Sequence, residues 1–130
     1  NYSTCLTCHR YPPDPNSDNY RTVKFRASVP FLCWRCHPPM AANFLDKHLF
    51  KKPSKKTANW MLEGSTENRT ILPLDFKGRV ICSTCHNPHQ PGVMVDDRAK
   101  KGEGAVKRLR SQNICFICHS GEADQLSLEH

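Results

Sequence analysis

The chain has 130 residues, a formal charge of +7 at pH 7 and 38% hydrophobic residues, with a mean hydropathy of −0.63. This length allows one small domain or two fused halves, and no stretch has the apolar length of a membrane span. The apolar content is thin for a core built of protein alone, and the positive balance taken by itself would suggest an acidic partner or nucleic acid.

In chain order, Cys5-Leu6-Thr7-Cys8-His9 opens the sequence, and the proline-rich residues 11–19 behind it read as loop. Cys33-Trp34-Arg35-Cys36-His37 follows. Pro38-Pro39 then makes a suitable entry to a helix over Ala41–Phe50, which Pro53 closes. Residues 50–78, with Lys51-Lys52-Pro53-Ser54-Lys55-Lys56 and Gly64-Ser65-Thr66, read mostly as a loop-rich connection. Arg79–Cys82 is a short apolar run, a single strand or nothing regular, leading into Cys82-Ser83-Thr84-Cys85-His86. A second helix is expected over Ala105–Ile114, with Val106, Leu109 and Asn113 on one side, delivering Cys115-Phe116-Ile117-Cys118-His119. Leu128-Glu129-His130 is read as the remnant of an expression tag, and His130 is left out of the ligand count.

Four copies of Cys-x-x-Cys-His use all eight cysteines. This is the haem c attachment signal. Cys5, Cys8, Cys33, Cys36, Cys82, Cys85, Cys115 and Cys118 would each form a thioether to a vinyl group, and His9, His37, His86 and His119 would each supply the proximal nitrogen of an iron. A four-thiolate zinc site or a disulfide scaffold would use the cysteines but leave the four following histidines unexplained. A redox dithiol needs one motif in a βαβ setting, not four.

Four haem c groups then repair the thin core, since each is a large apolar plate. The expected fold is small and mostly irregular, with a few short α-helices wrapped around four covalently bound haems and little or no β-sheet. The motifs begin at positions 5, 33, 82 and 115. Residues 1–127 are therefore read as a single tetrahaem domain, with two dihaem halves (about 1–50 and 72–122) as its simplest internal division. The apoprotein should be largely unfolded. The charge also changes: with propionates ionised, each haem contributes about −1 oxidised and about −2 reduced, taking +7 to roughly +3 or roughly −1. The basic clusters (Lys51, Lys52, Lys55 and Lys56; Lys100, Lys101, Lys107, Arg108 and Arg110) then serve to neutralise propionates or to dock an acidic redox partner, and a nucleic-acid partner is not expected.

The distal ligands come up short. Apart from the proximal histidines, His48 and His89 remain for four irons, and Met40, Met61 and Met94 are further candidates whose sulfur would raise the potential. His89 follows His86 by three residues, too short a span to round a porphyrin edge, so it is expected to serve a neighbouring haem; Met40 has the same offset from His37. Met40, Phe44 and His48 share one face of the expected helix. A rise of about 12 Å over eight residues keeps Met40 and His48 from serving one iron. Each methionine has the alternative of being a soft packing residue.

Residues 72–119 resemble the doubled-CXXCH family of multihaem cytochromes of metal- and sulfate-respiring bacteria. The resemblance is carried by Leu72-Pro73-Leu74-Asp75, Gly78-Arg79-Val80, Cys82-Ser83-Thr84-Cys85-His86-Asn87-Pro88-His89, Leu109-Arg110 and the Cys115 motif. It implies paired haems, a distal-ligand role for His89, a distal-ligand segment at His48, and electron transfer in the periplasm or at the cell surface of a Gram-negative bacterium. The first half departs from the pattern: His9-Arg10-Tyr11-Pro12 lacks the second histidine, and Met40 stands where it would be in the second motif. The expected function is electron transfer between redox partners, with mixed His/His and His/Met ligation and no catalysis. The alternatives are a small reductase with an open distal site, and a self-associating subunit of a haem-stacked filament or a domain of a larger cytochrome.

Overall fold

A computed structural model describes residues 3–38 and 47–120. After a 3-10 turn at Cys5–Thr7 come five helices that lie wholly among the described residues: α1 (Val29–Trp34), α2 (Lys55–Glu67), α3 (Cys82–Cys85), α4 (Asp97–Lys100) and α5 (Ile114–Cys118). Strand pairing among them is limited to two isolated bridges, His9–Phe25 and His86–Leu109. No described helix is long and apolar enough to cross a membrane.

All four Cys-x-x-Cys-His segments close the same single turn. The histidine N–H donates to the carbonyl of the first cysteine in His9–Cys5 (3.0 Å), His37–Cys33 (2.8 Å), His86–Cys82 (3.0 Å) and His119–Cys115 (3.0 Å). One helical turn puts residues i, i+3 and i+4 on a common side, so the hydrogen bond gathers two thiols and an imidazole in each motif.

Two expectations about the helices need correction. Residues 50–78 are not loop throughout: they contain α2, the longest described helix. Ser54 caps it by accepting from Thr57 N–H (3.2 Å), and Arg69, in the left-handed region at φ +50°, ends it. Thr57, Trp60, Met61, Gly64 and Ser65 recur at helical spacing along its more buried side, which packs on α5. Gly64 is no breaker here: a Cβ on it would sit 2.6 Å from Ile117 Cγ2 and 3.2 Å from Ile117 Cβ, so the glycine lets the two helices approach. Gly64→Ala should destabilise the fold by roughly 1–2 kcal/mol in denaturant unfolding despite its better helix propensity, because the β-branched Ile117 cannot swing away.

The helix expected over Ala105–Ile114 does not form either. Arg108 is left-handed at φ +53°, Val106 is fully exposed, and Arg108 O and Arg110 N–H bond to Asn87 and Cys85 rather than along a helix. The helix begins only at Ile114. Of the helix expected over Ala41–Phe50, residues 41–46 lie outside the described residues, as does Met40. Arg79–Ile81 is extended without a named strand, though Phe50 N–H donates to Val80 O and Val80 N–H to Lys51 O, both at 2.8 Å.

The apolar interior is small. Met61, Leu72, Ile114 and Ile117 form one buried cluster, with Cys85, Cys115 and Cys118 packed against it. α1 packs on α3, so the second and third motifs meet across the expected division into halves. A turn at Asp75–Arg79 leads the chain into α3. Asp75 accepts from Lys77 N–H (2.9 Å), Arg79 N–H (2.8 Å) and Arg79 Nε (2.8 Å). Burial raises its carboxyl, but these hydrogen bonds and the Arg79 charge outweigh burial and hold it below the usual range. A depressed carboxyl stabilises above the unfolded value of about 3.9 and loses that contribution as pH falls through the folded value. Asp75→Asn should therefore flatten the acid limb of a stability–pH curve below about pH 4.

Candidate cofactor site

The first and third motifs are held by the same lacing. Arg10 N–H donates to Lys24 O (2.9 Å) and Arg26 N–H to Cys8 O (2.8 Å), while Arg26 Nε donates to Leu6 O (2.5 Å). In the same register, Asn87 N–H donates to Arg108 O (2.7 Å) and Arg110 N–H to Cys85 O (2.8 Å), while Arg110 Nε donates to Ser83 O (2.8 Å). In each case an arginine-bearing segment, 24–26 or 108–110, braces a motif and then runs on into the next one.

This framework brings histidines from distant positions together. The His9 and His89 rings have centroids 6.4 Å apart and planes 13° apart, and His48 and His119 have centroids 5.9 Å apart and planes 65° apart. Two imidazoles on opposite sides of one metal ion, each bonded at about 2.0 Å, have ring centroids about 6 Å apart. Both separations fit that arrangement. Each joins the histidine of one motif to a histidine outside it, and His89 lies with His9, eighty residues away in sequence.

The nitrogens are arranged for the same use. His86 Nδ1 is 2.7 Å from Lys107 O. A carbonyl can only accept, so Nδ1 carries the proton and Nε2 keeps a lone pair. Asn87 is fully buried; its amide donates to Ala99 O (2.9 Å) and Lys101 O (3.2 Å). That fixes Oδ1 as the acceptor facing His89 N–H (3.1 Å) and Nδ1 (2.9 Å), so His89 Nε2 is likewise a lone-pair nitrogen. This is the outer-shell support that metal-ligating histidines receive. Burial keeps both His9 and His89 below the ordinary imidazole value, and so neutral as a ligand must be. His9 Nδ1 is a buried nitrogen with no hydrogen-bond partner.

The thiols lie in a continuous series. Cys8 is within electrostatic reach of Cys33 and Cys36, the Cys33 and Cys82 thiols act on each other, and Cys85 is within reach of Cys115 and Cys118. Burial and these neighbours push Cys85 up to about 12 and Cys118 up to about 11. Thiols raised this far stay protonated at neutral pH, whereas Cys82 is held below the ordinary thiol value by Cys33. All eight cysteines are unpaired. Among the described residues no three or more His, Cys, Asp or Glu side chains group as a site for a metal ion, the arrangement a protein-only zinc site needs. A haem iron takes at most two ligands from the chain, the porphyrin supplying four.

Of the other expected ligands, Met61 is 6% exposed within the apolar cluster, a packing position. Met94 lies half-buried outside any helix, and His37 is exposed. Reading the sequence alone missed the supporting roles of Asn87, Arg26 and Arg110. The recurring arginine before the second and fourth motifs, in Lys24-Phe25-Arg26 and Arg108-Leu109-Arg110, was the available signal. Compared with protein-family models, with curated proteins and with solved structures, the chain matches none.

Proposed function

We propose that this chain is a tetrahaem c-type cytochrome that passes electrons between redox partners. The observation that carries the reading is the pairing of histidines at 6.4 and 5.9 Å next to cysteine pairs of haem-attachment spacing. In this reading Cys5 and Cys8, Cys33 and Cys36, Cys82 and Cys85, and Cys115 and Cys118 anchor one haem each. His9 and His89 hold one iron, and His119 and His48 hold another. When bound, the haems supply one-electron chemistry between ferric and ferrous iron. The chain's own residues do the rest. Asn87 and the Lys107 carbonyl fix imidazole tautomers, and the arginine lacing sets the spacing between motifs. The contact of Cys33 with Cys82, and of Cys85 with the fourth motif, supports a continuous row of redox groups. An optical redox titration of the natively produced protein tests this. The expected result is a haem spectrum with a broad transition of several steps; a colourless protein would refute it.

One observation favours a second reading, a reductase. His37 is exposed, and an iron held there could accept a small substrate. Electron paramagnetic resonance of the oxidised protein separates the two readings: stoichiometric high-spin iron supports the reductase, and purely low-spin iron supports the carrier.

A further inference from the structure

Arg110 is the only charged side chain buried among the described residues that carries a fixed positive charge, at 5% exposure. The clustered lysines are exposed and Arg108 is half-buried. Its Nε is satisfied by Ser83 O (2.8 Å), but among the described residues no carboxylate is within ion-pairing distance. The side-chain ion pairs among the described residues are Arg79–Asp75 and Lys100–Asp97. The ionisable group acting on Arg110 is the Cys85 thiol, and burial lowers its guanidinium from 12.5 to about 10. Bracing the motif does not explain the burial, because Arg26 makes the same three-part lacing with its side chain exposed. A buried cation without an anion is costly, so the position calls for a counter-charge. The planar guanidinium fork, with both Nη groups uncommitted, suits a carboxylate.

We propose that Arg110 binds a haem propionate where the third motif meets His89, and that its charge raises the midpoint potential of the iron it borders. This rests on the tetrahaem reading. His89 and Cys85 both lie within its electrostatic reach. When one electron converts ferric to ferrous iron, the site becomes more negative by one charge, and a fixed cation beside it favours the reduced form.

The test is spectroelectrochemical titration of holo-protein with its haem content measured. Arg110→Gln keeps an amide donor for Ser83 O and removes the charge; Arg110→Lys keeps the charge; Lys77→Gln removes an exposed cation outside the motifs and their lacing. The expected result is one midpoint shifted downward in Arg110→Gln, with wild-type midpoints in Arg110→Lys and Lys77→Gln. Four retained haems with unmoved midpoints in Arg110→Gln, or an equal shift in Lys77→Gln, would overturn the proposal. Should Arg110→Gln lose a haem, infrared redox-difference spectra of wild type and Arg110→Lys carrying ¹³C-labelled propionates give the answer. A labelled carboxylate band that differs between the two supports the contact, and identical bands contradict it. A wild-type protein isolated without haem would instead remove the reading on which the proposal stands.

Discussion

In the tetrahaem reading, His89→Ala is expected to turn one of the four irons from low-spin to high-spin in the oxidised holo-protein while leaving all four haems attached. The proposed attachment residues Cys5, Cys8 and His9 are untouched, but the imidazole 6.4 Å across from His9 is gone. Alanine cannot replace it, and the arrangement leaves that iron with water or an open face. His48→Ala should do the same to the iron at His119, across the 5.9 Å pair. The double variant should show the sum, because the two pairs share no residue. His89→Met should keep six-coordination and raise the midpoint. The readouts are spin quantitation and redox titration. A His89→Ala protein with unaltered low-spin signals would mean that this histidine is not a ligand. Loss of the signal at the iron held by His86 would mean that it serves its own motif after all.

Asn87→Ala should have the largest effect of any substitution outside the attachment motifs and ligands. The side chain is fully buried and joins residues 87–89 to residues 99–101. It donates to Ala99 O and Lys101 O and accepts from the backbone and ring of His89. Truncation leaves two carbonyls and the His89 donors unpaired and opens a void, a cost of roughly 2–4 kcal/mol. It also frees the His89 ring to turn and exchange tautomers, and losing such an outer-shell partner typically weakens metal binding about 10- to 100-fold. Asn87→Asp separates the two roles. The carboxylate still accepts from His89 but faces two carbonyls without donors, so it should lose stability while keeping low-spin iron at the His9 site. Equal spin states in Asn87→Ala and wild type, with reduced stability alone, would confine Asn87 to a structural role.

The site was legible in the sequence only where chemistry fixes spacing along the chain. Two thiols three residues apart followed by a histidine need one turn of helix, and the four motifs close that turn with the same hydrogen bond. The partner of each imidazole was not legible, since His9 meets His89, and His48 meets His119, only through the packing of the intervening chain. The spacing of His86 and His89 constrained one partner without naming it. Gly64 misled because a helix-breaking residue and a close-packing residue are the same letter; what distinguishes them is Ile117, fifty-three residues further on. Arg108 defeated the helix at Ala105–Ile114 because its left-handed backbone follows from pairing with the third motif, not from local propensity. Asn87 and Arg110 read as ordinary polar residues until burial gave them work to do.

Intact-mass measurement of the natively produced protein, under denaturing conditions that strip every non-covalent ligand, tests the central claim most directly. The account predicts the mass of the polypeptide plus four haems, with no thiol left open to alkylation. Bare thiols, sulfur–sulfur crosslinks, or a mass matching the polypeptide alone would contradict it.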